Sequence, residues 1–216
     1  MAGAAPLLGG VVLCGGRSRR MGRDKALVAL GGRTLLERAV AVLASRAPRV
    51  ALACGPAERY RELGLTLRLD RSGPASAGSA GFGPLAGIEA GLAGSLADAP
   101  AGGWVLVLAC DLPEVPPDAL DRLLARAAEG GSDAVLFETA RGPEPLCAAY
   151  HTDLLPAVRA ALDGGERRAI APFRYPLAGG DLPRVARLAV PESAARAFER
   201  NLNTPADLAA SHEDRT

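Results

Sequence analysis

Histidine is almost missing from this chain of 216 residues, which has only His151 and His212, and its cysteines (Cys14, Cys54, Cys110, Cys147) lie far apart with no C-x-x-C pair. A structural zinc site is therefore not expected, and the four cysteines read as free thiols of a reducing compartment, three of them as small core residues at strand ends. Net charge is nearly missing too, because 25 Lys and Arg against 24 Asp and Glu leave a formal +1. That balance gives no global field of the kind that favours nucleic acid or an anionic membrane. No apolar stretch approaches the roughly 20 residues of a membrane-spanning helix. The first residues lack the charged and then apolar pattern of an export signal, so a cytoplasmic protein is expected. No repeat or linker divides the sequence, and 49% hydrophobic residues can fill a sizeable core. One domain spanning residues 1–216 is expected.

What is present is an alternation. Short Val/Leu/Ala runs near 10–14, 49–54, 66–69, 104–109 and 133–137 are interleaved with helical patterns near 34–45, 57–63, 84–95, 117–128 and 152–163. This βαβ rhythm predicts an α/β protein with a mostly parallel sheet. Val105-Leu106-Val107-Leu108-Ala109 is apolar at every position, as suits a central strand covered on both faces. Thr34 with Glu37 predicts a capping box, and Pro116-Pro117-Asp118 opens another helix. Between Asp70 and Gly83 the chain is small and polar, which predicts a mobile surface loop able to close over substrate. A last helix is expected at 205–210.

The first apolar run leads straight into Cys14-Gly15-Gly16-Arg17-Ser18-Arg19-Arg20-Met21-Gly22-Arg23-Asp24-Lys25. Two glycines let backbone N–H groups approach a ligand, and five cations within nine residues need an anion or solvent to relieve them. The spacing is neither that of a Walker A loop nor G-x-G-x-x-G, so a phosphate cradle of another kind is expected at the strand's carboxyl end. Lys25 reads as a phosphate contact, with a local ion pair to Asp24 as the plain alternative. Asp111 follows the buried run at 105–109 directly, where a hard oxygen ligand suits Mg²⁺; it reads otherwise as a turn cap before Pro113. Asp70 ends a shorter run in the same manner and reads equally either way. Asn201 and Asn203, if extended, share one face and can bind one ligand; otherwise they form a turn with Thr204 capping the last helix.

Residues 13–25 resemble the L-A-G-G-x-S-x-R-M-G-x-D-K signature of the MobA-type nucleotidyltransferases, the molybdenum cofactor guanylyltransferases. Similar matches follow in order at Gly83-Pro84-Leu85-Ala86-Gly87, Cys110-Asp111-Leu112-Pro113, Glu144-Pro145-Leu146, Gly165-Glu166-Arg167-Arg168 and Asn201-Leu202-Asn203-Thr204-Pro205, covering nearly the full chain. The resemblance implies a single-domain three-layer α/β/α Rossmann-like fold, its N-terminal part binding nucleotide and its C-terminal part the acceptor. It implies Mg²⁺-dependent transfer of GMP from GTP to the phosphate of molybdenum-bound molybdopterin, releasing pyrophosphate. It also implies roles: Leu13, Cys14, Gly15 and Gly16 at the nucleotide, Lys25 and Arg20 on its phosphates, Asp70 at the nucleotide, Asp111 on Mg²⁺, and Asn201 and Asn203 near the pterin. Molybdoenzyme apo-proteins or a pterin-delivering protein would be the macromolecular partners.

Two positions depart from the family pattern. Cys14 replaces the loop alanine, which adds a thiol beside the site. Ala53 stands about where the guanylyl enzymes carry an asparagine, and a methyl group cannot hydrogen-bond a base. A cytidylyltransferase, another nucleotidyltransferase acting on a sugar phosphate or phospholactate, or a catalytically silent nucleotide-binding partner are the competing readings.

Overall fold

The computed structural model describes residues 5–15, 24–71 and 83–199. Gly16, Arg20, Asn201, Asn203, nearly all of the predicted loop at 70–83 and the predicted helix at 205–210 lie outside them.

Strands β1 (Leu7–Leu13), β4 (Val50–Ala53), β5 (Thr66–Arg68), β6 (Trp104–Ala109), β7 (Ala134–Thr139), β8 (Gly142–His151) and β9 (Val185–Ala189) form a seven-stranded sheet in the order β5-β4-β1-β6-β8-β7-β9. All run parallel except β8, which is antiparallel to both β6 and β7. A two-residue-per-strand hairpin, β2 (Ala29–Leu30) and β3 (Arg33–Thr34), stands apart from it.

The alternation of strand side chains divides the core into two layers. Val12, Leu52, Leu106 and Leu108 face α1 (Leu35–Ala44), α3 (Pro117–Ala128) and α5 (Ala195–Glu199); Val11, Leu13, Val105 and Val107 face α2 (Gly83–Asp98) and α4 (Leu155–Asp163). All six residues of β6 are buried, as expected for a strand covered on both sides. Thr34 and Glu37 form the predicted capping box at the start of α1.

The glycines of α2 set how low that helix lies. A Cβ at Gly91 would stand 2.9 Å from Val11 Cγ2, and one at Gly87 would stand 3.0 Å from Leu13 Cδ2 and 3.3 Å from Ala53 Cβ. Close approach of α2 to β1 and β4 therefore requires that face of the helix to be bare.

Several elements differ from expectation. The helix predicted at 57–63 is only a three-residue 3-10 turn, Arg61–Leu63, because Tyr60 (φ 64°) and Gly64 (φ 65°) bracket it in the left-handed region, which a right-handed helix cannot pass through. The helix predicted at 152–163 begins as a 3-10 turn, Thr152–Leu154, before α4. β8 was not expected: its opening Gly142-Pro143-Glu144-Pro145 carries turn residues, yet it pairs on both sides. β1 extends back to Leu7 through Gly9 and Gly10, since pairing with Trp104 and Val50 outweighs the weak strand propensity of glycine.

Candidate active site

Parallel strands deliver their carboxyl ends to one edge of the sheet, and four sequence-predicted residues or groups meet there. Leu13 pairs with Ala53 on one side and Ala109 on the other, so Cys14, Cys54 and Cys110 follow side by side on the α1 face. The Cys14 N–H donates to the Ala53 carbonyl (2.9 Å) and the Cys110 N–H to the Leu13 carbonyl (3.1 Å), fixing these backbones against one another. The three thiols are buried. Burial pushes the Cys14 and Cys110 thiols up, Cys110 to about 12, and neighbouring thiol or carboxylate charge adds to it, so both remain protonated and unreactive at neutral pH.

Gly15 is also packed against a neighbouring loop. A Cβ would stand 2.6 Å from the Gly55 nitrogen and 3.0 Å from the Cys54 carbonyl carbon, so a side chain there would strike that backbone. Gly55 in turn accepts the Asp70 N–H (3.1 Å) on its carbonyl, which draws Asp70 to the same edge. Asp70 is 8% exposed, and its Oδ1 has no hydrogen-bond partner among the described residues. Burial and then the charge of Glu89 raise its pKa to about 6. Glu89 itself is held by Arg159 of α4 at 2.8 Å, and Arg71 reaches Asp163 at the end of α4.

Lys25 Nζ lies 3.1 Å from Asp111 Oδ2, with 14% and 29% of the two side chains exposed. Asp24, the alternative partner, caps the Lys25–Leu27 turn by accepting the Ala26 N–H (3.2 Å) and accepts further bonds from Arg59 and the Tyr60 hydroxyl. Asp111 places a partly exposed carboxylate beside a cation at the end of the central strand, an arrangement suited to a polyphosphate carrying a divalent ion.

A second carboxylate approaches from the reversed strand. β8 shifts register against β7 between Leu136 and Phe137, whose partners are Ala148 and Glu144, so residues 145–147 bulge. Glu144 Oε1 accepts the Leu146 N–H (3.0 Å); burial, with the Asp111 charge adding to it, raises its pKa. Sequence reasoning gave Glu144 no role. Its signals were a carboxylate between two prolines and the Glu144-Pro145-Leu146 match. Nor did it single out Arg59 and Tyr60, for which sequence carries no sign, since their partner Asp24 is 35 and 36 positions away.

Ala53 is buried with its Cβ toward Gly87 of α2. The GPLAG and GERR stretches meet: Gly83 (φ 72°) opens α2 with the Arg167 carbonyl oxygen 3.0 Å from where a Cβ would stand.

Residues 10–184 match the model of the MobA-like NTP transferase domain. The chain is 36% identical over 212 residues to the molybdenum cofactor guanylyltransferase of Rhodobacter capsulatus, covering 96% of each. It is 36% identical over 198 residues to a Deinococcus radiodurans protein named probable molybdenum cofactor guanylyltransferase, covering 92% of this chain and 90% of that one. Among solved structures, molybdopterin-guanine dinucleotide biosynthesis protein A from Archaeoglobus fulgidus superposes with a TM-score of 0.70 at 26% identity, over 95% of this chain and 97% of that one. A 2-C-methyl-D-erythritol 4-phosphate cytidylyltransferase from Thermus thermophilus, 21% identical over 95% of this chain and 98% of that one, shares the fold with a TM-score of 0.59. With its three-layer architecture and full-length likeness to these proteins, the chain belongs to the MobA-like nucleotidyltransferase family.

Proposed function

We propose that the protein transfers GMP from GTP to the terminal phosphate of molybdenum-bound molybdopterin, releasing pyrophosphate. The observation that carries this is the Lys25–Asp111 pair at the carboxyl edge of the sheet, in a chain that resembles guanylyltransferases over nearly its whole length.

Among the described residues no group of three metal-ligating side chains exists, and Mg²⁺ does not need one. It is commonly held by one or two carboxylates, with water and substrate phosphates completing the shell. The hard oxygens of Asp111 and Glu144 fit that pattern. Asp111 would hold the ion, which when bound would neutralise phosphate charge.

The acceptor phosphate is already anionic at neutral pH, so no general base is required, and the chain's part is electrostatic. Lys25 binds the phosphates and stabilises charge moving onto the pyrophosphate, with Arg20 as a second contact. The backbone of Leu13, Cys14 and Gly15, followed by Gly16, lies along the nucleotide. Asp70, whose Oδ1 has no hydrogen-bond partner among the described residues, offers a carboxylate to a nucleotide hydroxyl or N–H. Asn201 and Asn203 bind the pterin side.

With a methyl group at 53 turned toward α2, the base is selected by other groups, and the cytidylyl reading is the second outcome to test. Binding of GTP, CTP, ATP and UTP with and without Mg²⁺ is the direct experiment. A GTP preference lost in Asp111→Asn together with the metal dependence is expected. A CTP preference overturns the guanylyl assignment, metal dependence surviving Asp111→Asn overturns the metal site, and no pyrophosphate release with GTP and a molybdopterin acceptor overturns the activity.

A further inference from the structure

Cys14 and Asp24, ten positions apart, are both within reach of one hydroxyl group. The Tyr60 OH donates to Asp24 Oδ2 at 2.8 Å and lies 3.5 Å from the Cys14 carbonyl oxygen. Arg59 donates to both Asp24 and the Tyr60 oxygen, and its guanidinium carbon lies 4.8 Å from the centre of the Tyr60 ring. Tyr60 is 5% exposed and sits at φ 64°, ψ 29°, a conformation that non-glycine residues adopt only where the surroundings impose it. That backbone turn lets consecutive residues 59 and 60 meet the same carboxylate. Asp24 uses its other oxygen to cap the turn whose first residue is Lys25. The connection therefore runs from Tyr60 and Arg59 through Asp24 to the lysine that faces Asp111.

We infer that Tyr60 and Arg59 are positioning residues for phosphate binding. They hold Asp24, and so keep Lys25 opposite Asp111 with the Cys14 backbone in place beside it. Neither has to touch the nucleotide. The inference rests on the nucleotidyl-transfer reading of the site but not on the identity of the base, because what is positioned is the phosphate-binding lysine.

The test is titration calorimetry of Mg²⁺ with GTP, and of Mg²⁺ with inorganic pyrophosphate, on the full chain, on Tyr60→Phe, on Asp24→Asn and on the double variant. Tyr60→Phe keeps the ring and removes the hydroxyl. It should weaken GTP and pyrophosphate by the same factor of about ten, the scale of one hydrogen bond to a charged acceptor, while leaving KM for the acceptor unmoved. The double variant should bind no more weakly than Asp24→Asn alone, since both substitutions break one connection. A Tyr60→Phe protein that is folded and binds both ligands as the unmodified chain does overturns the inference, as do losses that add in the double variant or an acceptor KM that moves with them. Should Tyr60→Phe fail to fold, Arg59→Gln, at a side chain 30% exposed, decides between the same outcomes. An unmodified chain that binds pyrophosphate or CTP but not GTP would refute guanine selection and leave this inference standing; one that binds none of them refutes both.

Discussion

The two halves of the sheet reach the candidate site in opposite ways. In β5, β4, β1 and β6 the chain arrives at the edge where pairing ends, so Asp70, Cys54, Cys14 and Asp111 follow within two residues of a strand. β8 runs the other way and meets that edge with its beginning, where Glu144 pairs with Phe137 of β7 next to a three-residue bulge. A parallel strand supplies the edge with whatever follows it, including backbone N–H groups and short side chains. A reversed strand supplies a residue that is already paired and half-buried. Under the proposed function, the parallel half would carry the donor phosphates and the cation, and the mixed half would contribute one carboxylate of lesser weight.

The largest effect that would test the contrast is on the parallel side. Lys25→Ala should lower turnover by roughly 10²–10³, the scale of losing one preorganised charge-stabilising donor; unchanged single-turnover rates would remove the parallel half from the chemistry.

Asp70→Asn should raise stability. A carboxylate whose folded pKa of about 6 exceeds its ordinary 3.8 opposes folding once the unfolded chain ionises, so its cost is nil below about pH 4 and grows as pH rises to about 6. Above that the penalty is on the order of 2–3 kcal/mol, which Asn removes. Denaturant unfolding at pH 7 and pH 4 should therefore show a gain at the higher pH that vanishes at the lower. Equal gains at both would mean that the burial of the charge is not the cause.

Gly15→Ala should destabilise by about 1–3 kcal/mol, the usual cost of an overpacked contact, because the Gly55 backbone cannot yield as a flexible side chain would. An unchanged Tm would show that the two loops are not pressed together. Glu144→Gln is the smallest expected change, about two- to tenfold in turnover, the range of one ordinary hydrogen bond. A loss as large as that of Lys25→Ala would erase the distinction between the halves.

The same contrast explains what could be read from sequence. β6 is legible because Val105 to Ala109 are all apolar, and Asp111 was recognisable as the polar residue just beyond it. The parallel ends are local facts, written in consecutive residues. β8 was missed because Pro143 and Pro145 look like turn residues, and only its pairing with β6 and β7 makes it a strand. The Lys25–Asp111 contact spans 86 positions and the Tyr60–Asp24 contact 36, and no periodicity encodes either. The packing of Gly15 also lay beyond sequence, since the backbone it accommodates belongs to residues 54 and 55.

The bare face of α2 carries a consequence for the order in which this site can come into being. Glycine at 87 and 91 weakens a free helix by about 1 kcal/mol each relative to alanine, so the segment 83–98 has little tendency to coil unaided. It is a helix because Val11, Leu13 and Ala53 offer it a surface it can approach closely. The wall on that side of the site is thus a product of docking, and it is only as durable as the strands β1 and β4 beneath it.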